Sequence, residues 1–504
     1  MYDFKHTLTG ILFVICAAVF LHCSKNTLNV SNSEYKKILP DERFTFLQKK
    51  IQENINQSGV ASLSISVGQN SKIIWQEAFG LADIEKSIEA TPYTMYSLAS
   101  ISKTITATGL MLLVERGKID LDGSANKYLG PAQLTAYEGE AQNATVKTIL
   151  NHTSGLPRHV NFFFENEDYP LPPMEESIRR YGILINKPGE IFIYSNIGYG
   201  IIDHIITTVS GKEYSDFMQS EVFQPLGMNR TAIITHSSQL SGDALRYNRD
   251  MKPNTFYDFD HRGASAVYST AHDLVIFGMF HLKQDFSGQK KILSDATLDL
   301  MKKAEASMGP DRMYGLGWMI IEKNNGYRTV YHSGSMHGVR TILKLVPSEN
   351  IAVSVLCNNQ NNISLQTADD IISILLPDFG ENRTKTEQQK KVSEEAKTPE
   401  EYIGNWTGKI KTHQETMPIS LKIQSGFKIY VKLADQPEQE MYNVRVDRDM
   451  LRGEFNGNIN TDDAHRHSHR IDLHLKHRRD RISGSATAQS SGFALTSWVV
   501  LQKK

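Results

Sequence analysis

A long apolar helix with a serine and a lysine at its start constrains this chain more than any other stretch. Residues 97–117 read Ser-Leu-Ala-Ser-Ile-Ser-Lys-Thr-Ile-Thr-Ala-Thr-Gly-Leu-Met-Leu-Leu-Val-Glu-Arg-Gly. Ile101, Ile105, Leu110, Met111, Leu112, Leu113 and Val114 leave little polar face, and Glu115-Arg116-Gly117 supplies the stop, with glycine where a left-handed residue ends a helix. A helix apolar on most faces is a buried one, so the fold has to be built around it. Ser100 and Lys103 stand one turn apart on one face of its start. A serine hydroxyl is a weak nucleophile at its own pKa, and an amine within hydrogen-bond reach can take its proton. The same pair also suits a capping serine and a lysine that reaches back to solvent. The tetrapeptide alone decides nothing, since Ser-x-x-Lys recurs at Ser33/Lys36, Ser124/Lys127, Ser287/Lys290 and Ser425/Lys428. What separates Ser100 is the apolar run behind it.

The chain has 504 residues, 40% of them hydrophobic and 22% charged, which leaves room for two or three ordinary globular domains. A formal net charge of -1 argues against broad electrostatic capture of nucleic acid or anionic lipid. Lys5 and His6 precede an uncharged run, Ile11 to Leu21, which is a signal-peptide core too short to span a bilayer comfortably. Cys23 follows, and residues 1–23 resemble a bacterial lipoprotein signal whose mature chain begins at a lipidated cysteine. Phe20 and His22 stand where such signals usually have leucine and a small residue, so a plain secretory signal or a retained anchor is the alternative. Export to the periplasm or cell envelope is expected either way. Residues 24–40 are polar and aperiodic and read as a tether. The three cysteines, Cys16, Cys23 and Cys357, offer neither a disulfide framework nor a cysteine metal site.

Residues 41–57 carry Phe44, Leu47, Ile51 and Ile55 at helical spacing, and Val60 to Val67 and Lys72 to Phe79 read as a hairpin. A short helix ends in His152-Thr153-Ser154-Gly155-Leu156-Pro157. Phe162-Phe163-Phe164, with Tyr169, Pro170, Pro172 and Pro173, is expected to be an aromatic loop that either roofs a substrate pocket or packs on neighbouring helices. Tyr194-Ser195-Asn196 opens a helix from Ile197 to Val209 and is the only Tyr-x-Asn among 20 tyrosines. Burial raises a tyrosine pKa and a nearby ammonium lowers it; if the cation wins, the phenolate becomes a base. Residues 329–357 read as three strands, Thr329 to His332, Val339 to Val346 and Ile351 to Cys357, with His332-Ser333-Gly334-Ser335 between the first two. A helix from Leu365 to Leu376 then closes a domain spanning 41–378.

Taken in order, Ser-x-x-Lys at 100–103, His-Thr-Ser-Gly-Leu-Pro at 152–157, Tyr-Ser-Asn at 194–196, Tyr-Ser-Thr-Ala-x-Asp-Leu at 268–274 and His-Ser-Gly at 332–334 resemble the serine hydrolase family of class C β-lactamases, penicillin-binding proteins and related esterases. The resemblance implies an α/β (α+β) fold of β-lactamase/transpeptidase type, an antiparallel sheet flanked by helices plus an all-helical region, with the site in the groove between them. It implies that Ser100 is acylated, that Lys103 and Tyr194 share the proton relay, and that Asn196 bonds the substrate or Lys103. His332, Ser333, Gly334 and Ser335 would form the far wall on a sheet-edge strand, with the backbone N–H groups of Ser100 and Ser335 as the oxyanion hole. Penicillin-hydrolysing members usually carry Lys-Thr-Gly where this chain has His332, and an imidazole with a pKa of about 6.5 is mostly neutral at pH 7. Ester or amide hydrolysis, including that of D-amino-acid peptides, is therefore expected over efficient β-lactam hydrolysis. A true β-lactamase, a penicillin-binding D-alanyl carboxypeptidase and a lipid-anchored binding protein with an unused hydrolase fold are the alternatives. His332 also fits a structural histidine bonded to the strand backbone.

Residues 379–398 are charged and without apolar periodicity, as in a linker. Residues 399–504 shift to short alternating runs, among them Ile419 to Ile423, Phe427 to Leu433, Ile471 to Leu475 and Phe493 to Leu501, which fit a small antiparallel barrel and resemble a lipocalin-like domain. His465, His467, His469, His474 and His477 invite a metal site, but His474 alternates with Leu473 and Leu475 as a solvated strand face does, and no metal is expected. No step requires a cofactor. The expected partner is a small-molecule or peptide substrate, not nucleic acid, with membrane contact only through the N-terminal anchor.

Overall fold

Phe44, in the turn just before the helix, and Leu47, Ile51 and Ile55 lie buried on one side of α1 (Thr45–Ser58), which ends at the left-handed Gly59. In this computed structural model, residues 38, 40–382, 400–447 and 450–504 are described; the expected signal with Cys23 and most of the expected linker lie outside them. After α1 come the hairpin β1 (Ser62–Gln69) and β2 (Lys72–Asp83), the central helix α2 (Ser102–Glu115), and then β3 (Val160–Phe164), α3 (Asn196–Ser210), β4 (Tyr257–Phe259) and α4 (Ala271–His281). Strands β5 (Tyr327–Met336), β6 (Val339–Val346) and β7 (Ile351–Cys357) lead to α5 (Ile363–Leu375).

A nine-stranded sheet runs in the order Ala306–Gly309, Arg312–Tyr314, Met319–Asn324, β5, β6, β7, β1, β2, Ile88–Glu89. Alternate residues go to opposite faces. Ile342, Val346, Val353 and Val355 pack with α1 and α5 in one core, whereas Leu343, Leu345, Ala352 and Leu356 share the other with α2 and α4. Cover on both faces is why apolar residues point to both sides of β6 and β7. Helix α2 is buried from Ser102 to Leu113, and each of its leucines contributes roughly 2 kcal/mol of transfer free energy.

Two expectations are corrected here. His332 to Ser335 do not lie between strands, as the local pattern implied, but on a strand, as the family resemblance implied: β5 runs unbroken to Met336, and the turn falls at His337-Gly338. The neighbouring strand stops pairing at Met319 opposite Tyr331, so residues 332–336 are held by β6 alone and form a local edge within the sheet. The aromatic stretch 162–164 is not a loop but β3. It pairs with β4 on one side, and Phe162 stacks on Tyr257 with ring centroids 4.5 Å apart. Of the two roles open to these rings, packing is the one observed.

The C-terminal residues form a second sheet, ordered Gln439–Glu440, Ile429–Leu433, Thr416–Ile423, Gly404–Lys411, β8 (Phe493–Lys503), Arg481–Gln489, Arg470–Arg478, Met450–Asn456, Tyr442–Asp447. Its two end strands are neighbours in sequence. The Gln439 amide donates to Asn456 O at 2.6 Å and accepts from Asn456 N at 3.1 Å across the gap, giving a nearly closed barrel around Trp406, Leu421, Val431 and Leu473. Strand β8 also pairs with β3, Val160 opposite Ala494 and Asn161 opposite Phe493, so the two sheets meet through backbone hydrogen bonds. Glu138 with Arg481, Glu190 with Lys476 and Arg478, and Asp463 with Arg180 brace the same contact. No helix among the described residues is long and apolar enough to cross a membrane.

Candidate active site

Ser100 sits in a 3-10 turn, Ala99–Ile101, that feeds directly into α2. Ala99 before it is left-handed at φ +48°, a conformation that costs a non-glycine residue on the order of 1 kcal/mol and needs outside support. Leu98 provides the hold: its N–H donates to Val267 O at 2.9 Å, and its carbonyl accepts the Thr341 hydroxyl at 2.9 Å. Strand β5 passes so close that a Cβ on Gly334 would lie 2.1 Å from Leu98 O and 2.2 Å from Thr341 Oγ1. Gly334→Ala is therefore expected to push the strand off the serine turn, lowering stability by about 2 kcal/mol or more and ester hydrolysis with it. Thermal unfolding beside initial rates checks this.

Lys103 is completely buried, with 0% of its surface exposed. Its Nζ lies 2.7 Å from Asn196 Oδ1, 3.2 Å from Ala264 O and 3.4 Å from Ser100 Oγ. No carboxylate forms an ion pair with it among the described residues, and burial drives its pKa well below the usual lysine range. A neutral amine has two N–H donors and one lone pair. The amide oxygen and the backbone carbonyl can only accept, so they take both donors, and the lone pair is left for the Ser100 hydroxyl. Asn196 is oriented by its own Nδ2, which donates to His159 O at 2.6 Å and turns Oδ1 toward the amine. The short helix Arg262–Ser265 supplies the Ala264 carbonyl.

Tyr194 lies with its ring centroid 4.7 Å from Lys103 Nζ, and the Ser100 side chain is near enough to its phenol to favour the ionised form. Burial pushes this phenol above the usual tyrosine range, against the opposing pull of the Ser100 side chain and the Arg158 charge. The balance left open by the sequence falls on the side of burial, and the resting group is the phenol. His152 orients this segment. Its ring packs 4.4 Å from that of Tyr194, its carbonyl accepts Ile193 N–H at 2.9 Å, and its Nδ1 accepts Ser195 N–H at 3.1 Å. Ser195 Oγ then caps α3 through Gly198 N–H at 3.1 Å.

His332 is 0% exposed. Its Nδ1 donates to Ser333 O at 2.9 Å and its Nε2 accepts the Tyr314 hydroxyl at 3.0 Å, so neither ring nitrogen is open to a ligand. Burial, with the nearby Lys103, drops its pKa to about 3. Further along β5, Ser333 is half-buried and Ser335 exposed. Since His332 stays neutral down to about pH 3, the kcat/KM profile of His332→Gln is expected to keep the wild-type shape between about pH 5 and 8. A limb near 6.5 that disappears in the variant would contradict this.

The histidines at 465–477 do not converge. His467 pairs with Glu167 at 3.0 Å, His469 accepts Ile459 N–H at 3.0 Å, and His474 lies 3.1 Å from Asp472. Among the described residues the ligand-type atoms brought within 4.8 Å of one another are those of His159, Asp260 and His261. There Asp260 accepts His159 Nε2–H at 2.8 Å and His261 Nδ1–H at 2.6 Å, and these bonds hold its carboxyl far below the usual range despite burial. The network anchors His159, and through its carbonyl, Asn196. Neither Tyr314 nor the Ala264 carbonyl was assigned a place at the site from sequence, although both lie in stretches, 314–318 and 263–274, that stand out for glycine and small residues.

A serine, a buried lysine and a tyrosine converging between an antiparallel sheet and a helical layer, with a nearly closed barrel beyond, define a β-lactamase/transpeptidase-like fold. The sequence matches the β-lactamase family over residues 47–375, and the chain belongs to that family of serine hydrolases. It is 26% identical over 322 residues to Protein flp of Staphylococcus aureus (strain N315), covering 62% of each chain. It is 28% identical over 312 residues to Penicillin-binding protein 4* of Bacillus subtilis (strain 168), covering 56% of this chain and 64% of that protein. The matches thus span less than two thirds of these relatives' lengths. An octameric penicillin-binding protein homologue from Pyrococcus abyssi superposes with a TM-score of 0.58 at 21% identity, over 90% of this chain and 99% of that one. A class C β-lactamase gives 0.56 at 20% identity, over 66% and 96%. SurE gives 0.60 at 17% identity, over 92% and 99%. These likenesses concern the fold, and the first and third reach into the C-terminal sheet.

Proposed function

We propose that the chain is an envelope serine hydrolase that cleaves an ester or amide through an acyl-enzyme on Ser100. The observation that carries this reading is the desolvated Lys103 amine, held by Asn196 Oδ1 and Ala264 O and 3.4 Å from Ser100 Oγ, an arrangement in which the neutral amine would turn its lone pair to the Ser100 hydroxyl. As Ser100 Oγ bonds to the substrate carbonyl carbon, Lys103 takes the serine proton. The carbonyl oxygen becomes an anion stabilised by the N–H groups of Ser100 and Ser335, where one aimed donor is worth about 3 kcal/mol. Lys103 returns the proton through the Tyr194 hydroxyl to the departing oxygen or nitrogen, and the acyl–leaving group bond breaks. Water then attacks the acyl carbon, giving its proton to the same relay, and Ser100 is released with its hydroxyl restored. Tyr194→Phe keeps the amine but breaks the relay, so kcat is expected to fall about 100-fold with KM little changed. Near-normal turnover would remove Tyr194 from the relay.

A neutral, enclosed His332 offers no charge to a β-lactam carboxylate, which favours esters or amides. A D-amino-acid substrate is supported by the likeness to SurE, solved with D-Leu. Envelope placement rests on the apolar run Ile11 to Leu21. The test is initial hydrolysis of a p-nitrophenyl short-chain ester beside nitrocefin, for the protein and its Ser100→Ala variant. Ester turnover that the variant lacks, with little nitrocefin activity, upholds the proposal. Dominant nitrocefin turnover makes a β-lactam the substrate, and silence toward both favours a binding role.

A further inference from the structure

Lys103, His332 and Arg158 are basic side chains on the segments that build the site, and the first two are buried and committed. Lys103 is buried and has its donors on Asn196 and Ala264, and His332 has both ring nitrogens on protein partners. The third is Arg158. It follows directly on the His152 to Pro157 stretch, its side chain is exposed, and no acceptor is bonded to its guanidinium among the described residues. Its backbone, in contrast, is fixed from both sides. The Thr496 hydroxyl of β8 donates to Arg158 O at 2.8 Å. The next residue, His159, is completely buried, with its ring on Asp260 and its carbonyl 2.6 Å from Asn196 Nδ2. Pairing of Val160 with Ala494 and the 2.8 Å bond from Arg466 to Asn161 Oδ1 continue the clamp. The arginine thus stands one residue from an atom that touches Asn196, and its charge is felt at the Tyr194 hydroxyl.

We propose that Arg158 is the specificity-determining residue of the groove: its guanidinium, carried on a backbone that the C-terminal barrel holds through Thr496, binds a carboxylate on the substrate. A planar fork of N–H donors matches a carboxylate bidentately. A single cation matches a monoanion better than a phosphate dianion, which would need further donors. A backbone clamped before the ligand arrives reduces the ordering cost of binding. The inference rests on the reading of the groove as a substrate site, and it gives the barrel a role in recognition.

The test uses the full chain and two esters, 4-nitrophenyl butyrate and the mono-4-nitrophenyl ester of glutaric acid, whose acyl group is the butyryl chain with a carboxylate added at its far end. In Arg158→Gln the ratio of kcat/KM for the anionic over the neutral ester is expected to fall about 10-fold or more, as loss of a charge-assisted bond implies. Arg158→Lys should lie between, because it keeps the charge without the fork. An unchanged ratio, or an equal fall on both esters as a disturbed groove would give, overturns the proposal. A second readout is independent of turnover. Calorimetric binding of the glutarate ester to the Ser100→Ala protein should weaken by a similar factor when Arg158→Gln is added, and an unchanged Kd overturns the proposal even if the nucleophile assignment stands. Conversely, if neither ester is hydrolysed in a Ser100-dependent way while Kd still depends on Arg158, the hydrolase reading fails and the carboxylate site remains.

Discussion

Ser100→Ala is expected to fold as the wild type does and to lose turnover by at least about 10⁴-fold, because it removes the hydroxyl that lies beside the Lys103 amine and takes up the acyl group. The packing argument is straightforward. Ser100 is half-buried, its turn is held through Leu98 and Thr341 and not through its own hydroxyl, and alanine keeps the backbone conformation. Thermal unfolding should therefore change little, and Lys103 loses only its longest contact, at 3.4 Å. Mass spectrometry after brief exposure to an activated ester should show an added acyl group on the wild type and none on the variant. Residual turnover within 10-fold of wild type would mean that water, activated elsewhere, does the chemistry.

The second large effect is Lys103→Met. Methionine fills much the same volume, so the substitution removes the amine and its lone pair with little loss of packing. General base catalysis of this kind contributes up to about 10⁴-fold, and a fall in kcat of about 10³-fold is expected. Stability should move little: removing a desolvated amine helps, while Asn196 Oδ1 and Ala264 O each lose a donor, at a cost of about 1 kcal/mol apiece. The pH profile separates a base from a structural lysine. The active form is the neutral amine, so wild-type kcat/KM rises as pH increases through the Lys103 pKa, which burial places below the ordinary lysine value of about 10.4. That rising limb should vanish in Lys103→Met. If the limb persists, it belongs to another group.

Much of the candidate site is written in short-range pattern. Ser100 and Lys103 are three residues apart on one helix, and Tyr194 and Asn196 are two apart at the start of another, so each pair needs only local backbone geometry to meet. The strands from 329 to 357 were legible because β-branched and aliphatic runs separated by a turn have few other uses. The stretch 332–335 was misjudged because serine and glycine carry weak strand preference, and only pairing with β6 extends the strand through them. Phe162 to Phe164 failed for the related reason that their partners, β4 and β8, lie about 95 and 330 residues further on. The ionisation of Tyr194 could not be read from sequence at all, since it depends on how much of the surrounding space other elements fill.

The sequence by itself determined the buried α2 helix, the serine–lysine and tyrosine–asparagine pairs, and the run of short strands that makes the C-terminal sheet. All of these follow from side-chain chemistry and from the 3.6- and 2-residue periods of single elements. Only the tertiary structure decided that Lys103 is enclosed with no counter-charge among the described residues, that His332 is spent on Tyr314 and its own strand, and that the barrel grips the backbone at Arg158. Those features depend on groups far apart in the chain, and the free energy of a charge or hydrogen bond is set by what surrounds it, not by what precedes it in sequence.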